Sequence, residues 1–255
     1  MYKVIFSFLV ATFSLICNAE QVKRLNIYTE NLPPFQFQIS PSQVDGVNIN
    51  VLKQLLEAEG VIYKIDVYPW SRAIRMARSD KLGALISTAR TAEREEQFQW
   101  VGPFLSTQSG VYLYSLSKNK LNLESTEDIK NFTVGVVRED VFGKQLLSYG
   151  VPESNIISFV DNETVHQMLI MGKVDLALGS HNTMMRTVEK FGLRPHQVER
   201  KLYIPATTGN YLALNLSVSK SLVNKLNIRL NKLKEVIDLE ELAEEYQVKK
   251  PLHWK

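Results

Sequence analysis

Short β-branched, apolar runs alternate with helix-period stretches twice along the chain, and this order restricts the fold more than any other feature of the sequence. Residues 25–28 read as a strand, followed by a loop, 29–46, that carries Pro33, Pro34 and Pro41. Residues 47–59 place Val51, Leu52, Leu55 and Leu56 on one helical face, and Gly60 stops them. Residues 61–68 alternate Val61, Tyr63, Ile65 and Val67 with Lys64 and Asp66, the pattern of a strand with one wetter face. A turn at Pro69-Trp70-Ser71 opens a short helix ending near Ala77, and 82–87 form a third strand. A β-α-β-α-β order implies right-handed crossovers and a parallel sheet.

The same grammar returns further on. Strands are predicted at 133–137, 156–160 and 175–179, with helices at 140–149, 163–171 and 181–191 closed by Gly150, Gly172 and Gly192. Two extended segments, 110–117 and 209–217, connect the units and read as hinges. In the C-terminal helices Leu222, Leu226, Leu230, Leu233 and Ile237 step by three or four residues, a core-facing stripe. The expected architecture is therefore α/β with two parallel-sheet lobes joined by a two-segment hinge. Lobe one would be 20–112 with 212–255, and lobe two 113–211.

The first 19 residues belong to neither unit. Lys3 precedes an apolar run of about 13 residues, 4–16, and Cys17-Asn18-Ala19 then supplies small side chains where signal peptidase reads. The run is short of the roughly 20 residues a membrane span needs. Ile16 is too large for the lipid-modifying route through Cys17. Residues 1–19 are thus expected to be a signal peptide cleaved after Ala19, releasing the protein to the periplasm. Cleavage removes the only cysteine, and with it disulfides, thiolate metal ligands and a Cys nucleophile. It also removes Lys3, so 30 basic against 27 acidic residues become 29 against 27, a net +2 with no basic block. That balance argues against a nucleic-acid partner. Four scattered histidines without a His-x-x-x-His pair give no metal site, and no cofactor is expected.

Several pieces of sequence then fall in a recognisable order. They are Leu25-Asn26-Ile27-Tyr28-Thr29-Glu30 with Pro33-Pro34-Phe35, Asp45-Gly46, Tyr68-Pro69-Trp70, Thr91-Ala92-Glu93-Arg94 and Phe98-Gln99-Trp100-Val101-Gly102-Pro103. Val134-Gly135-Val136-Val137 and Met171-Gly172-Lys173-Val174-Asp175-Leu176-Ala177 follow in the second unit. Together they resemble the bacterial periplasmic solute-binding proteins of family 3, the polar amino-acid receptors of ABC importers. The resemblance implies the type II periplasmic-binding-protein fold and a monomer whose lobes close over a small polar solute. The solute, an amino acid or related carboxylate, would pass to a membrane permease or a sensor.

The site can be placed without the resemblance. In open parallel sheets ligands sit beyond the carboxyl ends of the strands, where helix N-termini present free amides. The segments there are 29–35, 70–72, 87–94, 138–142 and 180–182. By resemblance, Arg94 grips the ligand carboxylate in a planar two-pronged contact, from a cleft that is solvated when empty. The alternative is a surface arginine paired with Glu93 or Glu95. Trp70 and Phe35 are expected as aromatic walls, with core packing as the alternative, and Ser87 and Thr88 as hydroxyl and amide donors. Arg90 either adds a second positive group or points to solvent, and Arg72 is a further candidate. Ser180 stands where such receptors carry an acid for the ligand's ammonium group. Either Glu30 and Asp140 replace that acid, or the ligand is not an ordinary α-amino acid. Asp140 is equally suited to cap the helix that follows it.

A different class of function remains open on this fold. Cyclohexadienyl dehydratases resemble the same family and work in the same cleft. Proton transfer there would need an acid or base, for which Glu30, Asp140 and His181 are the candidates. Binding without turnover is the expected activity.

Overall fold

The computed structural model describes residues 24–105, 111–205, 209–239 and 241–242. The expected leader, 1–19, lies outside these residues, as does Gly110 at the edge of the first expected hinge.

β1 (Arg24–Thr29) lies between β4 (Ile62–Val67) and β5 (Gly83–Ala89), parallel to both, with Asn26 opposite Lys64 and Gly83. The loop between β1 and the first helix holds a small hairpin, β2 (Phe37–Ser40) and β3 (Gln43–Asp45). Helix α1 (Val47–Ala58) buries Val51, Leu52, Leu55 and Leu56, the face its spacing predicts. α2 (Trp70–Ser79) packs against β1 and β5, and a single turn, α3 (Ala92–Glu95), precedes β6 (Gln99–Leu105). β6 does not pair with β5. A returning strand, β12 (Asn210–Leu214), lies between them and is antiparallel to both, giving the order β4-β1-β5-β12-β6.

The second sheet has the order β11-β7-β10-β8-β9. Its strands are β7 (Val111–Leu116), β8 (Val134–Val137), β9 (Ile156–Phe159), β10 (Leu176–Gly179) and β11 (Val198–Ile204). Between them run α4 (Val141–Ser148), α5 (Asn162–Ile170) and α6 (His181–Lys190). β8, β9 and β10 are parallel, whereas β7 runs antiparallel to β10 and β11. Both sheets are therefore mixed rather than parallel. Each takes in an antiparallel strand from a segment expected to be a connector. Val111–Leu116 and Asn210–Leu214 are hydrogen-bonded strands, and the chain changes sheet between 105 and 111 and between 204 and 210.

Helix α7 (Lys220–Lys234) buries Leu222, Leu226 and Leu230 against the first sheet and α1. A further apolar cluster runs from Trp70, Ile74 and Trp100 of the first unit to Val137, Val165 and Leu169 of the second. The two sheets thus share packed surface as well as a cleft. No helix among the described residues is long and apolar enough to cross a membrane.

Candidate ligand site

A cavity of about 350 Å³ lies between the carboxyl ends of the two sheets. The first unit contributes Glu30, Phe35, Trp70, Ser87 and Arg94, and the second Asp140, Ser180 and His181. The geometry therefore gathers seven of the ten expected site residues: Glu30, Phe35, Trp70, Ser87, Arg94, Asp140 and Ser180.

The local sequence explains how each is placed. Gly46, at φ 129°, sits under the carbonyl of Phe35, where an added Cβ would stand 2.3 Å from that oxygen. The first amides of α1 hold the same loop, Val47 N–H donating to Pro34 O at 3.2 Å and Asn48 N–H to Phe35 O at 3.0 Å. The positive end of α1 thus fixes the loop rather than facing the cavity. Ser87 takes a left-handed backbone, φ 64°, and its hydroxyl accepts from Asn48 Nδ2 at 2.7 Å. Non-glycine residues in this region cost energy and cluster at binding sites.

The second unit points three helix starts at the cavity. Val141 and Phe142 open α4, Asn162 opens α5, and His181 and Asn182 open α6. Their N-terminal amides and dipoles favour an anionic group, which at α4 and α5 is the carboxylate of the caps Asp140 and Asp161. Asp140 caps α4, accepting from Val141 N–H at 2.6 Å, and still lines the cavity. Asp140 is thus the helix cap its position suggested, placed on the cavity wall. Ser180 likewise caps α6, accepting from Thr183 N–H at 3.2 Å.

Glu30 faces Asp140 and Asp161, the caps of α4 and α5, from the opposite unit. Burial pushes its carboxyl up to about 8, and the charges of Asp140 and Asp161 add to the rise. Asp140 is also raised by burial, with the Val141 amide and Arg94 acting against it.

Arg94 does not stand in an open, solvated cleft. It is 6% exposed, beneath the Trp70 ring with its guanidinium carbon 5.2 Å from the ring centre. One terminal nitrogen donates to Ala89 O at 3.3 Å and the other to Glu139 O at 2.8 Å. Burial lowers its affinity for the proton, and the Asp140 carboxylate opposes that.

Three expected residues do not line the cavity. Arg90 is exposed and paired in a two-pronged contact with Glu95, over the rings of Trp100 and Tyr211. Arg72 lies on the outer face of α2, its guanidinium 4.2 Å from the centre of the Tyr68 ring. Thr88 is buried, and its hydroxyl donates to Leu85 O at 3.2 Å. The alternation of a strand puts Ser87 and Thr88 on opposite faces, so only one can reach the cavity.

Sequence reasoning passed over other lining residues. Asn162 follows the cap of α5, Asp161, a signal that Asp-Asn before a helical run does carry. Val136, Val137 and Leu178 end their strands there and read only as core. Asn210 arrives on the returning strand β12. Behind Gly179 lies His166, 0% exposed, with Nε2 3.2 Å from Leu178 O and Nδ1 3.3 Å from Thr187 Oγ1. Burial takes its pKa down to about 4, so it is neutral at physiological pH.

Two mixed α/β sheets meeting at a cavity edged by helix N-termini define a two-part ligand-binding fold. A family profile for the bacterial extracellular solute-binding proteins, family 3, matches residues 25–249, and the chain belongs to that family. A search of curated proteins found no match. Among solved structures, the chain is similar to an amino-acid ABC transporter substrate-binding protein from Streptococcus pneumoniae bound to L-arginine. The two are 19% identical, with a TM-score of 0.73 over 88% of this chain and 94% of that one. It is also similar to EhuB in complex with hydroxyectoine, at 21% identity and TM-score 0.74 over 88% of each chain. A histidine kinase sensor domain with similarity to periplasmic binding proteins shares 15% identity, with TM-score 0.74 over 90% of this chain and 96% of that one.

Proposed function

We propose that the cavity takes up a small zwitterionic solute, an amino acid or a related carboxylate, and that the protein hands it to a membrane permease or sensor without chemical change. The observation that carries this reading is the division of charge in one enclosed space. Arg94 stands at the cavity wall with Trp70, the start of α6 with its neutral Ser180 cap favours an anion, and Asp140, with a Glu30 carboxyl that a bound cation would deprotonate, offers acceptors for a cation. Arg94 has five N–H donors, and two carbonyls engage only part of them, leaving donors for a carboxylate. Phe35 and Trp70 give the solute flat apolar walls. A total of about −8 kcal/mol, micromolar affinity, is within reach of one charge contact, one stack and several hydrogen bonds.

The solute-binding partners of similar proteins, L-arginine and hydroxyectoine, both combine a carboxylate with a cationic group. That is the chemistry this cavity would recognise. The proposed units are 20–112 with 212–255 and 113–211, except that Val111 and Tyr112 belong to β7 of the second sheet and Asn210 and Tyr211 to β12 of the first. The proposed mature protein begins at Glu20 in the periplasm as a monomer. Mass spectrometry of the exported form tests the cleavage, with a retained leader or a lipid on Cys17 as the contrary result.

The deciding experiment is a thermal-shift screen of amino acids, polyamines, keto acids and compatible solutes, followed by calorimetric titration of the hits. Binding confined to polyamines or other solutes without a carboxylate would overturn the proposal. Glu30, Asp140 and His181 are also the groups an enzyme would use. Consumption of prephenate or arogenate, followed by absorbance, would replace binding by turnover.

A further inference from the structure

Glu139 had no expected role, and its side chain is exposed. Its backbone, however, is left-handed, φ 63°, a conformation that a non-glycine residue keeps only when its surroundings hold it. The surroundings in question are donors from the other unit. Trp70 Nε1–H donates to the Glu139 carbonyl at 3.1 Å, and Arg94 donates to the same oxygen at 2.8 Å. Two donors use both lone pairs of one carbonyl. The contact also has a place in the architecture. Arg94, Asp140 and Val141 line both the ligand cavity and a second cavity of about 490 Å³, so this seam is the wall between them. A Glu93–Lys144 ion pair crosses the same seam, but both side chains are exposed and water screens it.

We propose that the Glu139 carbonyl is a latch, gripping Trp70 and Arg94 across the cleft, and that this contact by itself favours the closed arrangement of the two units. Glu139 is then a positioning residue: it orients Arg94 and Trp70 through its backbone and need not touch the solute. The latch goes beyond the solute-binding reading and does not depend on which solute binds.

Single-molecule energy transfer on the chain without solute, with Cys17→Ser to remove the native thiol, tests it, with dyes on Lys81→Cys and Glu153→Cys, one exposed site in each unit. The wild type should show a closed spacing as a distinct population. Trp70→Phe keeps an aromatic ring but has no N–H, and should lower the closed-to-open ratio about fivefold, the worth of one net hydrogen bond. Glu139→Pro fixes φ near −65° and should abolish the closed population. Glu139→Gly keeps the carbonyl and adopts positive φ freely, so its closed fraction should equal or exceed that of the wild type. A wild type that is only open, or a folded Trp70→Phe variant with an unchanged ratio, overturns the latch. Because no solute is present, failure of the solute reading leaves this result intact.

Discussion

Replacing Gly179 with alanine tests how tightly the floor of the cavity is built. Gly179 has no positive φ, so alanine can adopt its backbone and only space is at issue. A Cβ there would stand 2.1 Å from His166 Nε2 and 2.7 Å from Cε1. The imidazole would have to retreat by more than 1 Å to restore ordinary contact, and it is fixed at both nitrogens. Overpacking of this kind costs about 1–3 kcal/mol. Each hydrogen bond broken by the retreat adds about 1 kcal/mol. Gly179→Ala should therefore lower unfolding free energy by about 3 kcal/mol. It should also weaken solute binding, because the displaced turn carries Ser180 and the start of α6. His166→Ala is itself destabilising, since it empties a packed site, but it makes room for the methyl group. In that background Gly179→Ala should cost less than about 1 kcal/mol, a coupling of roughly 2 kcal/mol between touching residues. Urea unfolding of the four proteins of the cycle at pH 7 measures this. Equal costs of Gly179→Ala in both backgrounds would refute the argument from the His166 contact.

Three further outcomes are expected. Arg94→Ala should reduce affinity for a carboxylate-bearing solute by about 30-fold to several thousand-fold, the cost of about 2–5 kcal/mol for removing one partner of a buried charge contact. It should also lower the melting temperature of the unliganded protein, because the carbonyls of Ala89 and Glu139 lose a donor, and lysine should restore only part of either. Glu30, with a carboxyl raised from 4.5 to about 8 in the fold, holds a proton that the unfolded chain releases. Its contribution to stability is therefore full below about pH 4.5 and lost as pH rises through about 8, and Glu30→Gln should flatten the melting-temperature profile between pH 5 and 8.5. An unchanged slope would contradict the burial of Glu30. Arg90→Ala and Arg72→Ala should leave solute affinity within about twofold in calorimetric titration, because neither lines the cavity and exposed pairs contribute little.

The elements most legible in the sequence are those whose period and punctuation agree. α1 shows its Leu and Val face and a stopping glycine, and α4, α5 and α6 are closed by Gly150, Gly172 and Gly192, so their bounds fall within a residue or two of expectation. The direction of a strand carries no such mark. Val111–Leu116 and Asn210–Leu214 read as extended, yet nothing local says that they run antiparallel inside opposite sheets. At the site, the segments beyond the carboxyl ends of the strands were legible as a place, and Glu30, Trp70 and Arg94 from them all line the cavity. Arg90 misled because its charge is equally satisfied by Glu95, and sequence does not show which partner wins. The Glu139 carbonyl was illegible for a deeper reason: every residue has a carbonyl, and only the left-handed turn aims this one at the facing unit.

The place of β12 has a consequence for how the chain comes together. β5 and β6 are not neighbours, and with strands about 4.8 Å apart they leave a slot roughly 10 Å wide that only residues 210–214 fill. The second sheet draws all its strands from 111–204, so its pairings can form while the rest of the chain is still arriving. The first sheet must wait. Until β12 returns, the facing edges of β5 and β6 lack their ladder partners, and such unpaired edges are templates for the wrong strand. The last strand inserted is thus a keystone: the earlier-made half of the protein becomes complete only after the later half has been produced.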